Sequence, residues 1–151
     1  METPAWPEAF SKFGLQDPLE PARAAPRMRD ALLKAAPHMD VRAPDLAEVR
    51  ELMVPGAEGE RPARLYRPNG ADDAGPCTFF MHGGGYVIGD LETHDRLCRR
   101  LAARSGHRVL AIDYRLAPEH VWPAGVADCL AAFDWLCGPG AERVGALPDR
   151  I

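Results

Sequence analysis

The apolar residues of this chain change their spacing several times, and each change marks an element. Between Pro21 and Ala36, the residues Met28, Leu32 and Leu33 recur at helical intervals. They predict one or two short helices, with Pro37 and Pro44 breaking the pattern. From Asp45 the character changes. Val49, Leu52 and Val54 predict a first strand closed by Pro55-Gly56, and Ala63, Leu65 and Tyr66 a second closed by Pro68-Asn69-Gly70. The short glycine-containing loop between them favours an antiparallel pair, and a polar loop occupies 69–76.

The rest alternates strand and helix. The run Cys77–Met81 feeds the turn His82-Gly83-Gly84-Gly85-Tyr86. A helix is expected from Asp90, a good N-cap, to about Arg104, with His94, Leu97, Cys98, Leu101 and Ala102 on one face and Gly106 as its stop. Val109-Leu110-Ala111-Ile112 is apolar throughout, as in a parallel strand covered on both faces. Pro123 opens a further helix. Its expected buried stripe is Val126, Cys129, Leu130, Phe133 and Leu136, and Gly138-Pro139 ends it. Ile151 reads as the first apolar residue of another strand. The alternation predicts an α/β sheet with right-handed crossovers. Residues 1–44, rich in Pro, Ala and Arg, read as an accessory segment before it.

Composition narrows the function classes. A chain of 151 residues suffices for one domain with a real core. Its net charge of −4 gives no basic footprint for nucleic acid. No apolar run is long enough to span a membrane, and no basic n-region with an apolar core opens the chain, so a cytoplasmic protein is expected. Cys77, Cys98, Cys129 and Cys137 are too scattered for a zinc site or a disulfide framework, and no metal or cofactor is expected.

The candidate chemistry lies in the glycine turn. Consecutive glycines at the end of a buried strand leave N–H groups uncovered by side chains. Such donors can face a developing oxyanion, and a turn of this HGGG type does so in lipases and esterases. The alternative for Gly84 and Gly85 is a tight turn that needs glycine for positive φ.

Two motifs occur in order. The first is His82-Gly83-Gly84-Gly85-Tyr86-Val87-Ile88-Gly89-Asp90, continuing to Thr93-His94-Asp95. The second is Asp113-Tyr114-Arg115-Leu116-Ala117-Pro118-Glu119-His120, followed by Pro123-Ala124 and Asp128. Together they resemble the hormone-sensitive-lipase family of α/β-hydrolases, the bacterial family IV esterases. The resemblance is strong over 45–151 and loose over 10–44, where family members carry cap helices. It implies a truncated α/β-hydrolase in two parts: an accessory or cap segment over 1–44, and over 45–151 the N-terminal strands of a mostly parallel sheet with crossover helices.

The resemblance also assigns roles. Gly84 and Gly85 correspond to the oxyanion donors. His82 is expected to fix the loop by hydrogen bonds rather than act as a base, because the family's base follows the nucleophile in the chain. Gly83 belongs to the same turn. Asp113, Tyr114, Arg115 and Glu119 are expected to form a packed polar turn supporting the loop. Tyr86 either lines an acyl pocket or covers the core. His94, His107 and His120 read as helix-face, strand-edge and turn residues.

The nucleophile test is short. The serines are Ser11 and Ser105, and neither stands in G-x-S-x-G context. Asp72 and Asp128 do not follow a nucleophile strand. In the family, Asp-Pro-x-Arg-Ile leads into the strand carrying the Gly-Asp-Ser-Ala-Gly elbow. Leu147-Pro148-Asp149-Arg150-Ile151 is the counterpart here, with Leu147 in place of Asp. The expectation is therefore a carboxylic ester hydrolase fragment that carries the oxyanion loop without nucleophile, base or acid. Such a fragment would be inactive alone, and would act on a small acyl ester once a complementing chain supplies the rest. The alternative is a non-catalytic module for a small ligand or a partner chain on the same scaffold, as in the plant gibberellin receptors. The family's strand order also predicts an exposed edge on Cys77–Met81, and hence an aggregation-prone chain.

Overall fold

The computed structural model describes residues 20–39 and 41–151. Ser11, and the part of the accessory segment before residue 20, lie outside the described residues. Among the described residues four strands, Glu48–Gly56 (β1), Gly59–Arg67 (β2), Cys77–Met81 (β3) and Arg108–Ile112 (β4), form one sheet in the order β1-β2-β4-β3. Strands β1 and β2 make an antiparallel hairpin, with Glu48 opposite Arg67 and Gly56 opposite Gly59. Ala57 and Glu58 turn the chain, and Gly59 at φ +97° takes the left-handed conformation that ends the turn. Strand β4 runs antiparallel to β2 and parallel to β3, so the β3–β4 pair is the parallel part of the described sheet.

Strand β4 is buried at every position. Successive side chains point to opposite faces. Leu110 and Ile112 join a cluster with Leu52, Val54, Ala63 and Leu65 on one side, while Val109 and Ala111 join Tyr66 on the other. Each fully buried Leu, Ile or Val contributes roughly 1.5–3 kcal/mol. Helix α2 (Asp95–Ser105) covers the second cluster with Cys98 and Ala102, and α3 (Ala124–Leu136) covers the first with Cys129, Ala132 and Leu136. Gly106 at φ +72° ends α2 as expected.

Five expectations need correction. Over the described part of the accessory segment a single helix, α1 (Glu20–Met39), runs with Pro26 and Pro37 inside it, rather than short helices ended by Pro37. Tertiary bonds override local propensity there: Arg96 donates to the Pro37 carbonyl at 2.7 Å. Helix α2 starts at Asp95, not Asp90. Asp90 does act as a cap, its carboxylate accepting the Thr93 N–H at 2.7 Å while the Thr93 hydroxyl accepts the Asp90 N–H at 2.9 Å, but it closes a separate turn. Of the face expected on α2, Cys98 and Ala102 are buried, and Leu101 is exposed.

On α3, the inward residues are Gly125, Asp128, Cys129, Ala132 and Leu136, whereas Leu130 and Phe133 are exposed. Those two face the outer side of β3, where no described strand covers them, and Phe133 packs on Phe79 at 5.7 Å between ring centroids. Ile151 lies in no strand. It packs half-buried against the first cluster, and the preceding Arg150 carbonyl accepts the Cys77 N–H at 3.1 Å. A short helix, α4 (Gly140–Val144), had no periodic signal and ends at Gly145 with φ +65°. Among the described residues, no helix is long and apolar enough to cross a membrane.

Candidate active site

Strand β3 delivers the chain into a loop held in an unusual conformation. Gly84, Gly85 and Tyr86 have φ of +127°, +63° and +62°, and Tyr86 is the non-glycine residue with positive φ among those described. Such strain persists where the surroundings over-determine it and clusters at functional sites. Here the Gly84 carbonyl accepts the N–H groups of Val87 and Ile88, both at 3.1 Å. A Cβ on Gly84 would run into the Ile88 carbonyl. The Gly84–Gly85 peptide is trans, so the Gly85 N–H points opposite to that occupied carbonyl. Neither the Gly84 nor the Gly85 N–H bonds to another described residue. The loop opens onto a cleft of about 1100 Å³ that also runs along β3 and the Val126, Leu130 and Phe133 side of α3.

His82 anchors the root of the loop. Its carbonyl accepts the Tyr114 hydroxyl at 2.6 Å, and its ring stacks on the Tyr114 ring at 4.3 Å. Nδ1 lies 3.0 Å from the Gly83 carbonyl, which assigns the proton to Nδ1 in the neutral ring. Nε2 is buried and has no partner among the described residues. Burial pushes the imidazole below its ordinary pKa, more than the bond to the Gly83 carbonyl raises it. Gly89, at φ +96°, packs so tightly on this corner that a Cβ would come 2.5 Å from both His82 Nδ1 and the Gly83 carbonyl.

The second motif forms the turn after β4, and its residues separate into two groups. Tyr114 holds His82, burial pushing its own hydroxyl up to about 12. The Ala117 N–H donates to the Tyr86 carbonyl at 2.8 Å. Arg115 and Asp113 do not reach the glycine loop by any hydrogen bond. Arg115 braces the turn against α3: it forks onto Asp128 at 2.8 and 3.0 Å, its backbone N–H adds a third bond at 3.1 Å, and it reaches Glu58 at 2.6 Å. Burial alone would raise the Asp128 carboxyl, but the bonds from Arg115 and the Ala57 N–H hold it below the usual range. The Asp113 N–H donates to the Pro62 carbonyl at 2.9 Å, and burial, with Asp90 nearby, raises its carboxyl.

Glu119 meets a residue that sequence reasoning missed. Arg29, on α1, contacts its carboxylate at 2.7 and 2.9 Å. The same guanidinium donates to the Val87 carbonyl at 2.8 Å and the Ala117 carbonyl at 2.7 Å. Arg29 precedes these partners by 58 to 90 positions, so no local pattern pointed to it. Tyr86 is 54% exposed over the cleft, its ring tilted 5.9 Å from that of Tyr114.

Among the described residues, the Gly84 and Gly85 N–H groups are left unbonded, and the one described serine serves the backbone. Ser105 caps the end of α2, donating to the Leu101 carbonyl at 2.7 Å and accepting the His107 N–H at 3.0 Å. Burial pushes the thiols of Cys77 and Cys129 up to about 11 and that of Cys98 to about 12, which keeps them protonated. Among the described residues, no cluster of His, Cys, Asp and Glu suits a metal ion.

Comparison with known proteins matches residues 78–151 to a family described as alpha/beta hydrolase fold. The carboxylic ester hydrolase LipN of Mycobacterium tuberculosis is 51% identical over 104 residues, which cover 69% of this chain and 27% of LipN. The esterase LipI of the same organism is 38% identical over 142 residues, covering 93% of this chain and 41% of LipI. Among solved structures, the ester-hydrolase EH1AB1 from the metagenome of Lake Arreo superposes with a TM-score of 0.80 at 39% identity, over 95% of this chain and 45% of that one. An esterase of Pyrobaculum calidifontis does so with a TM-score of 0.75 at 37% identity, over 84% and 41%. The chain thus spans less than half the length of these relatives. With the glycine loop at the end of β3 and these likenesses running through it, the chain belongs to the hormone-sensitive-lipase family of α/β-hydrolases.

Proposed function

We propose that this chain supplies the oxyanion-binding part of a carboxylic ester hydrolase. Gly84 and Gly85 bind the developing oxyanion, and the nucleophile, base and acid come from outside these 151 residues. The observation that carries the reading is the Gly84–Gly85 peptide. Its carbonyl is occupied by two loop N–H groups, which turns the Gly85 N–H away from the loop's own acceptors. Preorganised donors of this kind act on charge that forms only in the transition state. His82, Gly83, Tyr114 and Glu119 hold the loop, Arg115 and Asp113 hold the turn behind it, and Tyr86 borders the substrate. The ester relatives support a small acyl ester as substrate. The four free thiols support a cytoplasmic setting. The division of the chain into a cap segment over 1–44 and a hydrolase part over 45–151 belongs to the same proposal.

The test is hydrolysis of p-nitrophenyl esters by the chain alone and by the chain combined with one that supplies the Gly-Asp-Ser-Ala-Gly elbow, base and acid. Turnover only in the combination is the expected result. Tight ligand binding by this chain alone, with no turnover in the combination, would favour a non-catalytic module.

A further inference from the structure

We propose that Arg29 is the positioning residue of the oxyanion loop, setting the direction of the Gly85 N–H through two linked peptide planes. The inference rests on the ester-hydrolase reading for its catalytic consequence, though not for its geometry. Arg29 Nε donates to the Val87 carbonyl at 2.8 Å, which fixes the Val87–Ile88 peptide plane. The opposite side of that plane carries the Ile88 N–H, which donates to the Gly84 carbonyl at 3.1 Å. That carbonyl shares a plane with the Gly85 N–H. A rotation at Val87 therefore propagates to the donor three peptides back.

The remaining contacts of Arg29 hold this arrangement from outside. One terminal nitrogen bridges the Ala117 carbonyl at 2.7 Å, and the Ala117 N–H bonds the Tyr86 carbonyl at 2.8 Å, so loop and turn are stitched at adjacent points. Glu119 receives the guanidinium with both oxygens, at 2.9 and 2.7 Å, and fixes its plane. The Glu119 bond raises the pKa of Arg29, and Arg29 holds the Glu119 carboxyl down at about 2, so the pair stays charged at neutral pH. A lysine cannot reproduce this fork, because one ammonium cannot face two carbonyls and a carboxylate in a fixed plane. Helix α1 therefore contributes to the site without presenting a group to the substrate.

Hydrogen exchange of the full chain, read by mass spectrometry over segments 82–89 and 113–120, tests the geometry without requiring turnover. In Arg29→Ala, exchange at Val87, Ile88 and Ala117 is expected to rise about tenfold, the scale for loss of a charge-assisted hydrogen bond, while β4 is unchanged. Arg29→Lys should restore only part of the protection. Wild-type exchange in both segments of Arg29→Ala would overturn the proposal. If Arg29→Ala also loosens β4, Glu119→Gln decides. That variant keeps the bonds to the carbonyls and loosens the same two segments by a smaller factor; no change there overturns the proposal.

In the completed enzyme, a positioning role lowers kcat of Arg29→Ala about tenfold at nearly unchanged KM. Unchanged kcat would overturn the catalytic consequence. A wild-type combination without turnover would instead overturn the ester-hydrolase reading and leave the exchange result standing.

Discussion

A methyl group on Gly84 would meet the Ile88 carbonyl, and its φ of +127° is one that side chains rarely adopt. Gly84→Ala is therefore expected to open the loop at a local cost of about 1–3 kcal/mol. Its signature is faster amide exchange at Val87 and Ile88 with β4 still protected. His82 gives a pH prediction. Its folded pKa lies below the ordinary value, so the unfolded chain takes up the proton first as pH falls. Stability from this group is complete above about pH 6.5 and is lost as pH drops toward the folded pKa. Denaturant midpoints at pH 7.5 and 5.5 should fall further for wild type than for His82→Gln, and equal shifts would contradict the assignment. The glycine run was readable because its type and spacing are local. The unpartnered Nε2 of His82 and the reach of Arg29 were not, because both depend on residues brought together only by the fold.

At the scale of elements, the Arg115–Asp128 pair joins the β4 turn to α3, and the Ala57 N–H bonded to Asp128 at 3.0 Å adds the β1–β2 hairpin. Asp128→Ala leaves two bonds of a buried arginine's guanidinium and the backbone N–H groups of Arg115 and Ala57 without their acceptor. Loss of about 3 kcal/mol is expected in denaturant unfolding, and a change below about 0.5 kcal/mol would show that the pair is not a joint of the fold. Strands β1 to β4 and the two long crossover helices were legible from alternation, apolar runs and the Gly106 and Pro123 signals. The errors share one cause. Asp90 carries a good cap, but the Asp90–Thr93 exchange closes a turn of its own, while Asp95 is engaged by Arg64 at 3.1 Å at the start of α2. On α3, periodicity gives an apolar stripe but not which part of it meets the sheet, and Leu130 and Phe133 fall on the side facing the cleft.

At the scale of the molecule, β3 is an edge strand among the described residues, flanked by exposed Met81, Leu130 and Phe133. No charge or proline blunts it. Concentration-dependent association is therefore expected in sedimentation of the 151-residue chain, and a monomer across the micromolar range that melts cooperatively would contradict this. Combination with a chain that completes the sheet should abolish the association and create the ester hydrolase at once. The proposed oxyanion donor is the Gly85 N–H. The direct measurement replaces the Gly84–Gly85 amide by a backbone ester in the completed enzyme, which deletes that N–H and keeps the trans plane and the Gly84 carbonyl, as a weaker acceptor for Val87 and Ile88. The expected result is a fall in kcat for a p-nitrophenyl ester of about 10²–10³-fold with KM nearly unchanged. An unchanged kcat, or turnover by the 151-residue chain without its complement, would contradict it.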